Sequence, residues 1–358
     1  MNAHTLAAVE RAADVSLKIL AALNLLFLAA FAATLLFGVS QARAQGAPVA
    51  CTGEDLLAQL QRDDPAKLAE IRAEAAGVAN GKGLLWRIEK DGAAPSYLFG
   101  TMHLSDPRVV ALGPQAQEAF DASSTVVIET TEVLDPARMM AAMLANPELT
   151  MFTDGTTLMS LVPEEERATV EAALSERGIP PASVAKMKPW MISAMVALPA
   201  CEMARKASGA PVLDMRLAHD GEADGKALGG LETIADQLGA MASLPMEFHI
   251  RGLVDTLKLG DAIDDVIETM IVLYLGEETG MFWPFFRAAL PAGEEGDAGF
   301  SAFEETMVTA RNRTMAERAV PFIDAGAAFI AVGALHLPGE EGVIALLREK
   351  GYRIEAIR

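Results

Sequence analysis

Two segments at opposite ends of the chain, Phe99-Gly100-Thr101-Met102-His103-Leu104 and Val332-Gly333-Ala334-Leu335-His336-Leu337, are near-copies of one short pattern. Each is an apolar run that reaches a glycine and then, three residues on, a histidine. Such a run reads as a buried strand stopped by the glycine, with the imidazole just past its C-terminal end. In open α/β sheets that rim is where ligands bind. One G-x-x-H alone reads most simply as a core or hinge histidine. The chain holds only five histidines, and two of them share this setting. The match therefore constrains the fold: both strands are expected in one sheet, ending on the same edge.

The remaining pattern supplies the neighbours. Leu84–Glu89 and Ser96–Phe99 flank Asp91-Gly92 as a hairpin. Thr125–Ile128 is a β-branched run that ends in Glu129, and Lys226–Leu231 is a short strand feeding a helix capped at Thr233. The chain finishes with a strand (Phe329–Val332), a helix (Val343–Glu349) and a strand (Tyr352–Ile357). Helical spacing covers Met139–Leu144, Val162–Glu176 closed by Gly178, Trp190–Arg205, Met246–Leu259, Ala262–Leu275 and Phe303–Phe322. The expectation is an α/β fold: a central mixed sheet flanked by helices (αβα) over residues 84–358, with a helix-rich insertion at about 135–300. Residues 45–83 read as an N-terminal helical segment, with one helix or two over Glu54–Val78. Eighteen methionines, many at helical spacing (Met139, Met140, Met143; Met187, Met191, Met195), read as flexible core filler. Phe282–Phe286 reads as helix–helix packing.

Residues 1–44 have a different character. Lys18 precedes an almost unbroken apolar stretch to Val39, and Ala42 and Ala44 form an A-x-A site, the layout of a secretory signal peptide. The stretch is also long enough to remain as an uncleaved anchor. Both readings place the body outside the cytoplasm, periplasmic or otherwise exported, with membrane contact only through this segment. Cys51 and Cys201, the only cysteines, are a disulfide in an exported chain or two separate buried thiols. The formal charge of −20 describes a solvated acidic surface and disfavours nucleic acid as a partner.

At one sheet edge His103, His336 and Glu129 offer two imidazoles and a carboxylate. This donor set suits zinc, manganese, cobalt or iron, with positions left open for water whose pKa the ion lowers. Glu129 serves as ligand or as general base, and Glu132 is a spare carboxylate. Arg311 and Arg313, in a helix with an apolar face, read on composition as surface ion-pair partners. His249 in a helix and His219 in a Gly/Asp-rich loop have no partner pattern. No G-x-S-x-G, Walker A, H-E-x-x-H or C-x-x-C segment occurs, so several common reaction classes lack their usual signatures.

Taken in order, these segments resemble the TraB/GumN family, bacterial relatives of the Tiki proteins. The resemblance rests on Leu98–Leu104, Val127-Ile128-Glu129-Thr130, Leu213-Asp214, Gly225-Lys226 and Gly230-Leu231-Glu232-Thr233. It continues through Arg311-Asn312 with Met315, and closes with Val332–Gly339 and Gly351-Tyr352. It implies an αβα fold and a metal-dependent hydrolase site, with metalloprotease activity in the Tiki branch. By match it nominates His103, Glu129 and His336 around a divalent metal, with Arg311 assisting at the substrate carbonyl. Asn312 and Glu232 are further candidates, although a glutamate at a helix start ordinarily supports that N-terminus. The substrate would be a peptide or another small molecule. The competing readings are a non-catalytic module that binds a peptide, haem or iron ligand, and an envelope-assembly factor. Convergence of His103, Glu129 and His336 separates the first of these three from the last.

Overall fold

The computed structural model describes residues 51–289 and 296–357, and the leader reading of residues 1–44 lies outside them. Among the described residues six strands form one mixed sheet: β1 (Leu85–Glu89), β2 (Ser96–Thr101), β3 (Thr125–Ile128), β4 (Ala227–Gly230), β5 (Ala328–Gly333) and β6 (Arg353–Ala356). Their order is β4-β3-β5-β2-β1-β6. The first four strands of that order are mutually parallel, whereas β1 runs antiparallel to both β2 and β6. The G-x-x-H strands β2 and β5 are neighbours in register, Gly100 opposite Val332 and Thr101 opposite Gly333.

Strand residues alternate between two cores, as a two-residue side-chain period requires. Phe99, Val126, Ile128, Phe329 and Ala331 pack on one face, while Leu98, Val127, Ile330 and Val332 pack on the other. The first face is covered by α1 (Leu56–Asp63), α2 (Pro65–Ala76), α3 (Pro114–Asp121), α8 (Leu213–Ala223), α11 (Ala262–Leu275) and α12 (Phe282–Ala289). The second is covered by α14 (Ala310–Ala325) and α15 (Val343–Glu349). A separate apolar cluster joins α5 (Glu164–Glu176), α6 (Pro189–Val196) and α10 (Met246–Leu259). Also between β3 and β5 lie α4 (Pro136–Ala145), α7 (Ala200–Ala207), α9 (Ile234–Ser243) and α13 (Gly296–Glu304).

Several expected elements differ. Over Glu54–Val78 the two-helix alternative holds, with Asp64 capping α2 ahead of Pro65, whereas the helix read over Trp190–Arg205 breaks at Leu198-Pro199, between α6 and α7. Proline disfavours helical geometry in the residue before it and has no N–H to continue the ladder. The helix expected over Phe303–Phe322 contains a π turn at Glu305–Thr309, just before Arg311, an irregularity frequent at functional sites. His219 lies on α8, exposed, not in a loop. Met270, Met281 and Met315 fill the core, but Met139 and Met140 are exposed on α4, which buries none of its residues, and Met151, Met195 and Met203 are exposed as well. The aromatic patch packs as expected, with Phe282 and Phe285 buried and Trp283 against Phe286 and Phe303. Cys51 and Cys201 form a disulfide. No helix among the described residues is long and apolar enough to cross a membrane.

Candidate active site

Each of the four parallel strands delivers one polar residue to the same edge. His103 follows β2, Glu129 follows β3, Glu232 follows β4 and His336 follows β5 in a short 3-10 turn. Two glycines make the close approach possible. A Cβ at Gly100 would lie 2.7 Å from Leu337 Cδ1 and 3.2 Å from Ala334 Cα, so the first motif's glycine lets the second motif's turn pack onto it. A Cβ at Gly333 would point among the donors, 3.2 Å from Glu129 Oε1, 3.4 Å from His336 Cδ2 and 3.8 Å from His103 Nε2.

The three nominated donors converge. His336 Nε2 lies 3.7 Å and His103 Nε2 3.9 Å from Glu129 Oε1. The other nitrogen of each ring is engaged: His103 Nδ1 meets Asp214 Oδ2 at 2.8 Å, and His336 Nδ1 meets Asn312 Oδ1 at 2.6 Å. With Nδ1–H donating to those oxygens, both Nε2 lone pairs are directed away from them, the tautomer a metal ligand requires. Asp214 is itself held by the Thr101 hydroxyl at 2.6 Å, and the Asn312 amide donates to Glu341 O at 2.9 Å.

Glu129 is buried and fully engaged. Oε1 accepts the Gly333 N–H at 2.7 Å, while Oε2 accepts Arg311 Nη2 at 2.8 Å and Gln237 Nε2 at 3.0 Å. Burial would raise its carboxyl, but attraction to His336, His103 and Arg311, with the Gly333 N–H, outweighs this and holds it at about 2. The His336 ring is driven down to about 4, chiefly by burial, and is neutral at neutral pH. The Asp214 carboxylate raises His103 to about 9, against the opposing effect of burial. Because the His103 side chain is 60% exposed, solvent screens part of that attraction.

Arg311 is not the surface partner that composition suggests. Its side chain is 12% exposed, and each of its three nitrogens donates inside the protein: Nε and Nη2 to Glu232, Nη2 also to Glu129, and Nη1 to Met307 O. Glu232 therefore joins the centre as the second carboxylate in the Arg311 fork. It does not cap α9, whose cap is Thr233. Arg313 is the surface ion-pair partner, bound to Glu305 and Glu341. The spare carboxylate Glu132 accepts the Ile234 N–H at 2.8 Å and so supports the start of α9. His249 is buried apart from the centre, with Nε2 at 3.0 Å from Met241 O. Reading the sequence for chemistry missed Asp214 as the His103 partner and Gln237 altogether. Asp214 entered only through the resemblance, and an amide on α9 carries no sequence signal.

Among the described residues no group of three or more His, Cys, Asp or Glu side chains stands as a formed metal cluster. The separations around Glu129 Oε1 exceed the edge of a tetrahedral zinc site, about 3.4 Å for donors at usual distances. The donor types, the oxygen partners at both Nδ1 atoms and the Cβ-sized space at Gly333 nevertheless fit a divalent ion.

Comparison with known proteins agrees with this reading. The family described as TraB/PrgY/gumN matches residues 84–356. Metalloprotease TIKI1 of Danio rerio is 26% identical over 316 residues, covering 76% of this chain and 62% of that protein. Metalloprotease TIKI1 of Homo sapiens is 26% identical over 318 residues, 76% of this chain and 61% of that protein. The Metalloprotease TIKI homolog of Nematostella vectensis is 23% identical over 328 residues, with coverages of 78% and 68%. The chain thus spans about three-fifths of the length of the TIKI1 proteins it matches. No solved structure matches it.

Proposed function

The chain belongs to the TraB/PrgY/gumN family, and from that premise we propose that it is an exported, metal-dependent hydrolase acting on peptides. The observation that carries this reading is the convergence of His103 Nε2 and His336 Nε2 on Glu129 Oε1, with both Nδ1 atoms held by Asp214 and Asn312. The metalloprotease names of the relatives support the reaction class. Export is supported by the Cys51–Cys201 bridge, a bond that persists in oxidising compartments, and by the secretory layout of the N-terminus.

His103, His336 and Glu129 would hold the ion. When bound, a divalent ion such as zinc, manganese, cobalt or iron supplies Lewis acidity and activates water near neutral pH. Glu129, held at about 2, is a weak base and serves better as ligand than as proton acceptor. Arg311 orients Glu129 and Glu232 through its fork and, with every nitrogen already donating, acts as a positioning residue. The exposed edge of His103 opens the centre to solvent and gives a substrate its approach.

The test is zinc titration of the chelator-stripped chain, followed by hydrolysis of a peptide library. One zinc per chain, together with cleavage lost to chelator, supports the reading. No metal retained under any loading overturns it in favour of a non-catalytic module. Two further outcomes are expected. Asp214→Asn weakens zinc binding by roughly 10- to 100-fold, the usual effect of removing the partner of a ligating histidine. Zinc affinity also rises with pH as His103, raised to about 9, gives up the proton that competes with the ion. Proton release measured by calorimetry in two buffers of different ionisation heat checks the sign.

A further inference from the structure

Glu202 takes no part in the chemistry proposed above, yet it is tied to the loop that carries His103. It is 2% exposed, and its Oε1 accepts both the backbone N–H and the hydroxyl of Ser105, each at 2.6 Å. Ser105 lies two residues beyond His103. Glu202 Oε2 faces Arg205 at 3.3 Å, and Arg205 also reaches Asp106 at 3.2 Å. A buried carboxylate with these partners cannot withdraw from them without being stranded, so α7 and the loop after β2 are locked together.

What holds α7 in place is unusually little. Its only buried residues are Cys201 and Glu202, and the break at Pro199 separates it from α6. Cys201 is bridged to Cys51, and the segment after Cys51 is anchored on α11. There the Thr52 hydroxyl meets Asp264 at 3.2 Å, the Glu54 N–H meets Asp265 at 2.7 Å and the Leu56 N–H meets Thr269 at 2.9 Å. Leu104, next to His103, lines one small pocket together with Cys51, Cys201 and Glu202. The bridge, the carboxylate and the loop therefore lie side by side around one pocket.

We propose that Glu202 is a positioning residue for His103, clamped by the Cys51–Cys201 bridge, so that the metal centre reaches full affinity only after the bridge has closed. The proposal rests on the metal-hydrolase reading above. Closing the bridge takes two electrons and two protons from the two thiols and passes them to a disulfide-bearing oxidant, the class of reagent present where exported chains fold. A chain still reduced inside the cell would be weakly loaded and silent.

The experiment compares the full oxidised chain with Cys51→Ser/Cys201→Ser, Glu202→Ala, Glu202→Gln and a control, Val170→Ala. The control weakens the separate helical cluster and reports loss of stability alone. Zinc affinity is read by competition with a chromogenic chelator, and amide hydrogen exchange is read on the metal-free chain. Zinc binding is expected to weaken at least tenfold in the double cysteine variant and in Glu202→Ala. It should stay within threefold in Glu202→Gln, whose amide oxygen still accepts from Ser105, and be unchanged in Val170→Ala. Ser105 amide protection should fall at least tenfold in the first two variants while Phe99 and Ile330 keep theirs. Equal zinc affinity and equal Ser105 protection with and without the bridge overturn the proposal, as does an equal zinc loss in Val170→Ala. If Glu202→Ala fails to fold, the cysteine variant decides. If the oxidised parent binds no zinc, the metal reading fails and the exchange arm alone decides the clamp.

Discussion

Arg311→Ala is expected to cost about 3–5 kcal/mol of folding stability at neutral pH, the scale for breaking a buried ion pair by removing one partner. The guanidinium is the shared counter-charge of Glu129 and Glu232, both buried. Without it two carboxylates face one another with the Gln237 amide as the remaining donor common to both. Protonation relieves that strain, which gives the effect a definite pH dependence. In the parent, Glu129 lies at about 2 when folded, against 4.5 for the unperturbed group. Its ionisation therefore contributes stability above about pH 4.5, which is lost as pH falls toward 2. In the variant the part of this contribution that Arg311 supplies is absent, while His336, His103 and the Gly333 N–H keep theirs, so the gap between the two proteins is widest near neutrality and narrows with acidification. Urea unfolding from pH 7 down to 3 measures it. A gap constant across that range would remove Arg311 from the electrostatics of the centre.

Gly333→Ala is expected to separate metal binding from folding. Gly333 has φ −51° and ψ 136°, ordinary values for alanine, so the backbone takes the substitution without strain. The added methyl instead enters the space bounded by Glu129 Oε1, His336 Cδ2 and His103 Nε2. Zinc affinity should fall on the order of 100-fold or more, as for other disturbances around metal ligands, while stability changes by about 1 kcal/mol or less. Calorimetric titration and thermal melts on the same samples decide it. Unchanged zinc affinity would place the ion elsewhere.

How much of this centre the sequence carries depends on whether a residue's role is set locally. His103, His336 and Glu129 were legible because a strand end fixes both their position and their exposure to one sheet edge. Their partners are set by tertiary crossings. Asp214 reaches His103 only because α8 packs beneath β3, and Arg311 is buried only because Glu129 and Glu232 close on it. Composition could not tell Arg311 from Arg313 two residues later, since helical rotation alone sends one inward and the other to Glu305 and Glu341. The strands were readable from β-branched runs and turn residues. The helix break at Pro199 was also a local signal, outweighed by apolar spacing that continues across it.

The strand order carries a consequence in time. β5 lies between β2 and β3, yet it is synthesised after both of them and after β4. A nascent chain thus holds two finished edges that have no partner for each other until β5, close to the C-terminus, emerges. Long-range closure of this kind is slow and leaves edges exposed meanwhile. His336 arrives on the element that zips the sheet shut, so the donor set proposed to hold the ion is assembled only by the event that completes the sheet, and no partly made chain would possess it.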